Sequence, residues 1–93
     1  MTEHFHHYSN LGRIESAIND LASMTELDRP FTRLVFSPEY KQARTWLWSR
    51  FEAAGLECRI DAGGNLIGTR KAMGEEAASR KIIIGSHIDT VSA

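Results

Sequence analysis

The chain has 93 residues, of which 42% are hydrophobic and 25% charged, and its formal net charge is −1. These values suit one small domain or part of a larger one, and they argue against a disordered chain or a basic nucleic-acid-binding surface. The single cysteine, Cys58, excludes an internal disulfide, and no apolar run reaches the roughly 18 residues that span a bilayer. We therefore expect a cytoplasmic protein with neither a nucleic-acid nor a membrane partner.

The first residues are polar and rich in histidine, with His4, His6 and His7 close together. They lack the basic start and the apolar core of a signal peptide. Clustered histidines can bind metal ions adventitiously, but polar residues also collect at unstructured termini. We expect residues 1–9 to be disordered.

Two helices are predicted in the first half of the chain. The first covers residues 10–25, with Ser9 or Asn10 as N-cap and an apolar stripe formed by Leu11, Ile14, Ile18, Leu21 and Ala22. The second begins with Ser37 as cap and Pro38 at its first position, and it ends at Gly55. Its aromatic residues are interpreted as core or interface, without a cofactor role.

A loop is predicted between the helices, from Glu26 to Phe36, because Pro30 interrupts regular structure. The stretch Phe31–Leu34 is more apolar than a free loop, so we expect it to pack against the body of the protein. Arg33 could contact an anion, but a solvated or ion-paired arginine is the favoured interpretation.

The sequence after the second helix predicts a β-hairpin. Residues 56–61 alternate apolar and polar side chains, as a half-buried strand does. The turn Ala62–Asn65 contains two glycines, and a second strand follows from Leu66 to Arg70. These glycines lack the lysine of a P-loop and the spacing of a dinucleotide fingerprint, so they do not indicate a phosphate site.

The final stretch contains the chemistry-bearing residues. Ile82–Ile84 is an unbroken β-branched run, which predicts a strand buried on both faces and ending near Gly85. Polar residues follow at once, at the end of the strand where open α/β sheets build their sites.

His87 and Asp89 are two positions apart, so in an extended backbone their side chains leave the same face. A carboxylate there could accept the imidazole N–H and leave the other ring nitrogen for a metal. The alternative is a structural histidine with an ordinary hydrogen bond to a neighbouring aspartate, since a lone His-x-Asp is a weak pattern.

Several stretches together match the pattern of one family. They are Phe31–Leu34, Phe36–Glu39, Ala43–Leu47, Ala54–Leu56, Asp61–Gly68 and Gly85–Val91. In these the chain resembles the amino-terminal part of the amidase, hydantoinase/carbamoylase family of metal-dependent hydrolases. That family includes N-carbamoyl-L-amino-acid hydrolases, allantoate amidohydrolases and bacterial-type β-ureidopropionases.

The resemblance implies an α/β fold. Residues 1–93 would form the amino-terminal part of a zinc-exopeptidase-like α/β sandwich, made of two helices, a β-hairpin and a buried strand and incomplete as a domain. The family's lid domain, through which the complete enzyme would form a homodimer, has no counterpart in these residues. The substrate would be a small linear amide: an N-carbamoyl amino acid, allantoate or ureidopropionate.

The resemblance also implies roles for two residues. His87 matches the first metal-ligand histidine, and Asp89 matches the catalytic carboxylate that braces it. A complete site would hold two zinc or manganese ions, with its other ligands and its general base beyond Ala93. No substrate-binding residue is assigned, and we expect the 93-residue chain alone to be inactive and to bind metal weakly.

Two further hypotheses remain open. The chain could be a non-catalytic module that docks on another chain through its helices and its apolar strand. It could also be a complete small domain in which His87 is structural.

Overall fold

The computed structural model describes residues 9–74 and 81–90. Within them the element order is α1 (Leu11–Ser23), α2 (Pro38–Ala53), β1 (Glu57–Ile60) and β2 (Leu66–Thr69). The described residues form a small α/β unit, and the larger sandwich stays a prediction. The expectations for residues 1–8, with their three histidines, for residues 75–80 and for Val91 lie outside the described residues. No helix in the described ranges is long and apolar enough to cross a lipid bilayer.

Helix α1 begins where its sequence predicts. Asn10 is the N-cap, and its side-chain oxygen accepts a hydrogen bond of 2.9 Å from the backbone N–H of Arg13. The predicted apolar stripe is present but lies largely open, since Leu11 is 78% exposed and Ile18 61% exposed. Helix α1 is therefore held in the fold by contacts other than the burial of its apolar face.

Helix α2 has the predicted start and stop. The Ser37 hydroxyl accepts from the backbone N–H of Tyr40, Pro38 occupies the first turn, and Gly55 follows the helix with φ of 84°. Tyr40 and Ala43 are the buried residues of this helix.

The predicted hairpin is also confirmed. Strands β1 and β2 pair antiparallel, with Glu57 opposite Thr69 and Ile60 opposite Leu66. The hairpin lies directly on α2, because a Cβ atom built at Gly68 would lie only 2.7 Å from the ring of Phe51. The core of the described residues is this contact between α2 and the hairpin.

The predicted buried strand Ile82–Ile84 is wrong for the described structure. These residues have no regular secondary structure, and their side chains are 90–92% exposed. A buried strand needs neighbouring strands for its backbone hydrogen bonds and layers on both faces. Among the described residues the only sheet is the β1–β2 pair, and it does not extend to the isoleucines.

Candidate metal-ligand segment

The loop between the helices is ordered by two threonines. The backbone N–H of Thr32 donates to the hydroxyl of Thr25 at 2.8 Å, and the N–H of Glu26 donates to the carbonyl of Thr32 at 2.9 Å. Thr32 is fully buried. Thr32 and Arg33 pack against the body of the protein as predicted, but Phe31 is 72% exposed and Leu34 39% exposed, so the prediction for Phe31–Leu34 is confirmed only at its two middle residues.

Thr90 docks onto this loop by three hydrogen bonds. Its hydroxyl accepts from the backbone N–H of Arg33 at 2.7 Å and donates to the carbonyl of Phe31 at 2.6 Å. Its own N–H donates to the carbonyl of Arg33 at 2.8 Å. These bonds join residues nearly sixty positions apart and fix the end of the segment Lys81–Thr90.

The guanidinium of Arg33 joins the same two parts of the chain. Its Nε donates to the carbonyl of Ile88 at 2.8 Å, and its Nη1 donates to the carbonyls of Leu21 and Met24 at 2.7 and 2.9 Å. Arg33 is only 8% exposed. The favoured interpretation as a solvated or ion-paired arginine is therefore wrong, because backbone carbonyls are its partners.

His87 and Asp89 lie on either side of the residue that Arg33 holds. The Nδ1 atom of His87 is 2.9 Å from the backbone carbonyl oxygen of Asp89 and 3.6 Å from its carboxylate oxygen Oδ1. Two oxygens beside one ring nitrogen favour a proton on that nitrogen, so Nε2 of the neutral ring keeps its lone pair. The closest acceptor is thus the backbone carbonyl, whereas the sequence pattern pointed to the carboxylate.

The exposure of the ring suits a ligand position that is open to solvent. The His87 side chain is 81% exposed and that of Asp89 43% exposed. A catalytic metal site needs about three protein ligands. Within residues 9–74 and 81–90, no group of three or more His, Cys, Asp or Glu side chains could hold an ion. The described residues therefore fit one ligand position, and the roles of His87 and Asp89 stay predictions.

A shallow depression lies beside this segment. Its volume is about 270 Å³, and it is lined by Ile18, Leu21, Ala22, Phe31, Arg33 and Thr90. Apart from the last two residues the lining is apolar, and the polar groups of those two already form hydrogen bonds within the chain. The depression adds no catalytic group to the segment.

Sequence reasoning missed the part that Arg33 plays. Its partners lie 9, 12 and 55 positions away, so no local periodicity could reveal them. The available signal was an arginine flanked by Thr32 and Leu34 within a loop too apolar to be free. Such a cation is a candidate for a buried contact with the backbone.

Comparison with known proteins gives three informative relatives. N-carbamoyl-L-amino-acid amidohydrolase of Paenarthrobacter aurescens is 39% identical over 79 residues, which is 85% of this chain and 19% of that protein. Allantoate amidohydrolase of Escherichia coli K12 is 43% identical over 60 residues, 64% of this chain and 14% of the relative. Ureidoglycolate hydrolase of Oryza sativa subsp. japonica is 32% identical over 85 residues, 90% of this chain and 17% of the relative. No family model and no solved structure matches the chain.

All three relatives are named as hydrolases, and two of them as amidohydrolases. The chain is homologous to the N-carbamoyl-L-amino-acid and allantoate amidohydrolases, and the predicted resemblance is confirmed. The chain spans one fifth or less of the length of the curated relatives it matches.

Proposed function

We propose that this chain forms part of a metal-dependent amidohydrolase that cleaves non-peptide carbon–nitrogen bonds in linear amides. The substrate class is a small molecule with a ureido group, such as an N-carbamoyl amino acid, allantoate or ureidopropionate. Two of these substrates are named in the relatives, at 39% and 43% identity. The shared chemistry is attack of water on a carbonyl carbon flanked by nitrogen.

In this proposal His87 supplies one ligand to a divalent metal, zinc or manganese, in a site of two ions. A bound metal would polarise the substrate carbonyl and lower the pKa of a bound water. The backbone carbonyl of Asp89 holds the proton of Nδ1, and its carboxylate adds negative charge 3.6 Å from the same atom. Both contacts direct the lone pair to Nε2, which is the state a metal requires.

The observation that carries the proposal is the 2.9 Å contact between Nδ1 of His87 and the carbonyl of Asp89. It selects the tautomer with an unprotonated Nε2 before any metal binds. The ring is exposed, so Nε2 is accessible to an ion whose other ligands lie elsewhere. A histidine that served only as packing would be buried instead.

A chimera tests the proposed activity. This chain replaces the aligned segment of the Paenarthrobacter aurescens relative, and release of free L-amino acid from an N-carbamoyl-L-amino acid is measured beside release of ammonia from allantoate. We expect hydrolysis of at least one ureido substrate and none of a dipeptide. A folded chimera, verified by circular dichroism, that cleaves neither ureido substrate contradicts the proposal.

A second candidate function is docking on another chain without catalysis. The observation that favours it is the exposure of Ile82, Ile83 and Ile84, each at 90% or more. Three consecutive exposed isoleucines are unusual on the surface of a soluble protein. The partner would present a strand or an apolar face of its own.

Two variants of the chimera separate the candidates. If His87→Ala removes hydrolysis while the protein stays soluble, the histidine is part of the reaction site and the first function is supported. If hydrolysis survives His87→Ala but is lost with Ile83→Asp, the segment contributes contacts alone and the docking function is supported.

A further inference from the structure

Arg33 is a buried cation whose partners in the part of the chain that the structure describes are neutral. Its guanidinium donates three hydrogen bonds, to the carbonyls of Leu21, Met24 and Ile88, at 2.7–2.9 Å. No carboxylate forms an ion pair with it among residues 9–74 and 81–90. A buried charge is costly unless its donors are satisfied. The position of the carbonyls must therefore compensate for the missing counter-charge.

The end of helix α1 supplies that compensation. Leu21 and Met24 lie in and just after its last turn, where the helix dipole is negative, and the Leu21 carbonyl also accepts from the backbone N–H of Met24 at 3.0 Å. The last turn of α1 has no basic residue of its own. Arg33, in the loop that follows, supplies the positive charge at this helix end. Its hydrogen bonds hold α1 in place although the apolar face of the helix is not buried.

The third of these hydrogen bonds reaches the candidate metal-ligand segment. Nε holds the carbonyl of Ile88, the residue between His87 and Asp89. The main chain of Arg33 pairs with Thr90 by two further bonds, of 2.7 and 2.8 Å. Arg33 thus holds the carbonyl of Ile88 and the N–H and hydroxyl of Thr90. Between and beside these fixed groups, His87 contacts Asp89.

We propose that Arg33 is a positioning residue that sets the tautomer and the direction of the His87 ring. It acts through the carbonyl of Ile88. The Asp89–Thr90 peptide is held by the bond from the Thr90 N–H to the Arg33 carbonyl, so rotation of the Ile88–Asp89 peptide would turn the His87 ring away from the Asp89 carbonyl. This inference rests on the proposed function, in which Nε2 of His87 binds metal. Arg33 itself touches neither metal nor substrate.

Nitrogen NMR of the His87 ring in the full metal-free chain tests this role. Wild-type protein is expected to show Nδ1 protonated. Arg33→Lys keeps a positive charge for the end of α1, but one ammonium cannot reach both the helix carbonyls and Ile88. We expect this variant to lose the Nδ1-protonated signal and to show the Nε2-protonated form that free histidine prefers, with unchanged helix content.

Chemical rescue provides a second readout. In Arg33→Ala, millimolar guanidinium is expected to restore the Nδ1-protonated signal, whereas the same concentration of methylammonium is not. The matched control is Arg44→Ala, which removes an arginine whose Nη1 contacts the carbonyl of Gly64 instead and should leave the His87 signals unchanged.

The inference is overturned if Arg33→Lys retains the wild-type tautomer, or if guanidinium and methylammonium act equally on Arg33→Ala. If Arg33→Ala fails to fold, the tautomer observed in Arg33→Lys alone tests the inference. All these spectra are recorded without metal, so they succeed or fail independently of whether His87 binds an ion, which the chimera tests.

Discussion

At the scale of single residues, the contact between His87 and Asp89 decides how the candidate ligand works. The closest acceptor of the ring proton is the backbone carbonyl at 2.9 Å, and the carboxylate lies 3.6 Å away. The first distance is a hydrogen bond and the second is too long for one. A substitution of Asp89 therefore removes the more distant carboxylate but leaves the closer backbone carbonyl in place.

In the chimera, Asp89→Asn should lower metal affinity by only about 10-fold, the mild end of the range for residues that support a ligand. The reason is that the backbone carbonyl persists in the variant. Metal affinity is measured by titration with a chelating dye, and Asp28→Asn controls for the loss of one charge. A loss of 1,000-fold or more would mean that the carboxylate, at about 3.6 Å from the ring, is itself a ligand.

Ionisation of Asp61 makes the stability of the hairpin turn depend on pH. Its carboxylate accepts from the side chain and the backbone N–H of Asn65 and from the N–H of Gly63, and the Asn65 side chain is the main cause of a lowered pKa. A carboxyl with a lowered folded pKa stabilises the fold above its unfolded value of about 3.9. That stability is lost as the pH falls through the folded pKa.

We therefore expect Asp61→Asn to flatten the acid side of the stability profile. The melting temperature of the wild-type chain should fall more steeply than that of the variant as the pH falls below about 4. Circular dichroism at fixed ionic strength measures both profiles. Equal slopes for the two proteins would show that the bonds to Asn65 and Gly63 do not favour the ionised form in the folded chain.

At the scale of elements, local signals in the sequence predict the helix ends and the hairpin, whereas contacts between distant residues are not predicted. The caps Asn10 and Ser37 and the stop at Gly55 bound their helices because each acts on backbone groups within a few positions. The hairpin register likewise follows from its short turn. Ile82–Ile84 has the composition of a buried strand, but burial needs a partner strand, which the composition of one segment cannot supply.

The packing of the hairpin on α2 gives a prediction at this scale. Gly68→Ala places a methyl group 2.7 Å from Phe51 and 2.9 Å from Leu56, so the helix and the strand must move apart. We expect a loss of about 1–3 kcal/mol in the free energy of unfolding, as overpacked sites show. Urea denaturation measures it.

Gly85→Ala is the matched control, because nothing lies within 4 Å of the added methyl group. That substitution should leave the free energy of unfolding almost unchanged. Equal effects of the two substitutions would mean that Gly68 does not mark a close approach of β2 to α2.

At the scale of the whole molecule, three stretches of the described residues expose large apolar side chains. They are the open stripe of α1, the loop with Leu27, Phe31, Val35 and Phe36, and the run of three isoleucines, which are 90–92% exposed. The described residues bury few large side chains, with Met24, Tyr40 and Ala43 as the buried apolar ones. A small core beside a large exposed apolar run favours association over a stable monomer.

The 93-residue chain should therefore self-associate as its concentration rises, and Ile83→Asp should shift it toward the monomer. Sedimentation velocity over a concentration series measures the shift. Leu27→Asp is the control, because it charges a single fully exposed apolar residue outside the run. A wild-type chain that stays monomeric throughout, or equal effects of both variants, would contradict this.

The metal content of the chimera tests most directly whether His87 is a metal ligand. Zinc and manganese per protein are measured by mass spectrometry for the chimera, for His87→Ala and for Ser86→Ala, a neighbouring exposed residue. We predict that His87→Ala loses bound metal and at least about 100-fold in turnover, while Ser86→Ala keeps both. Unchanged metal content and turnover in His87→Ala would contradict the assignment.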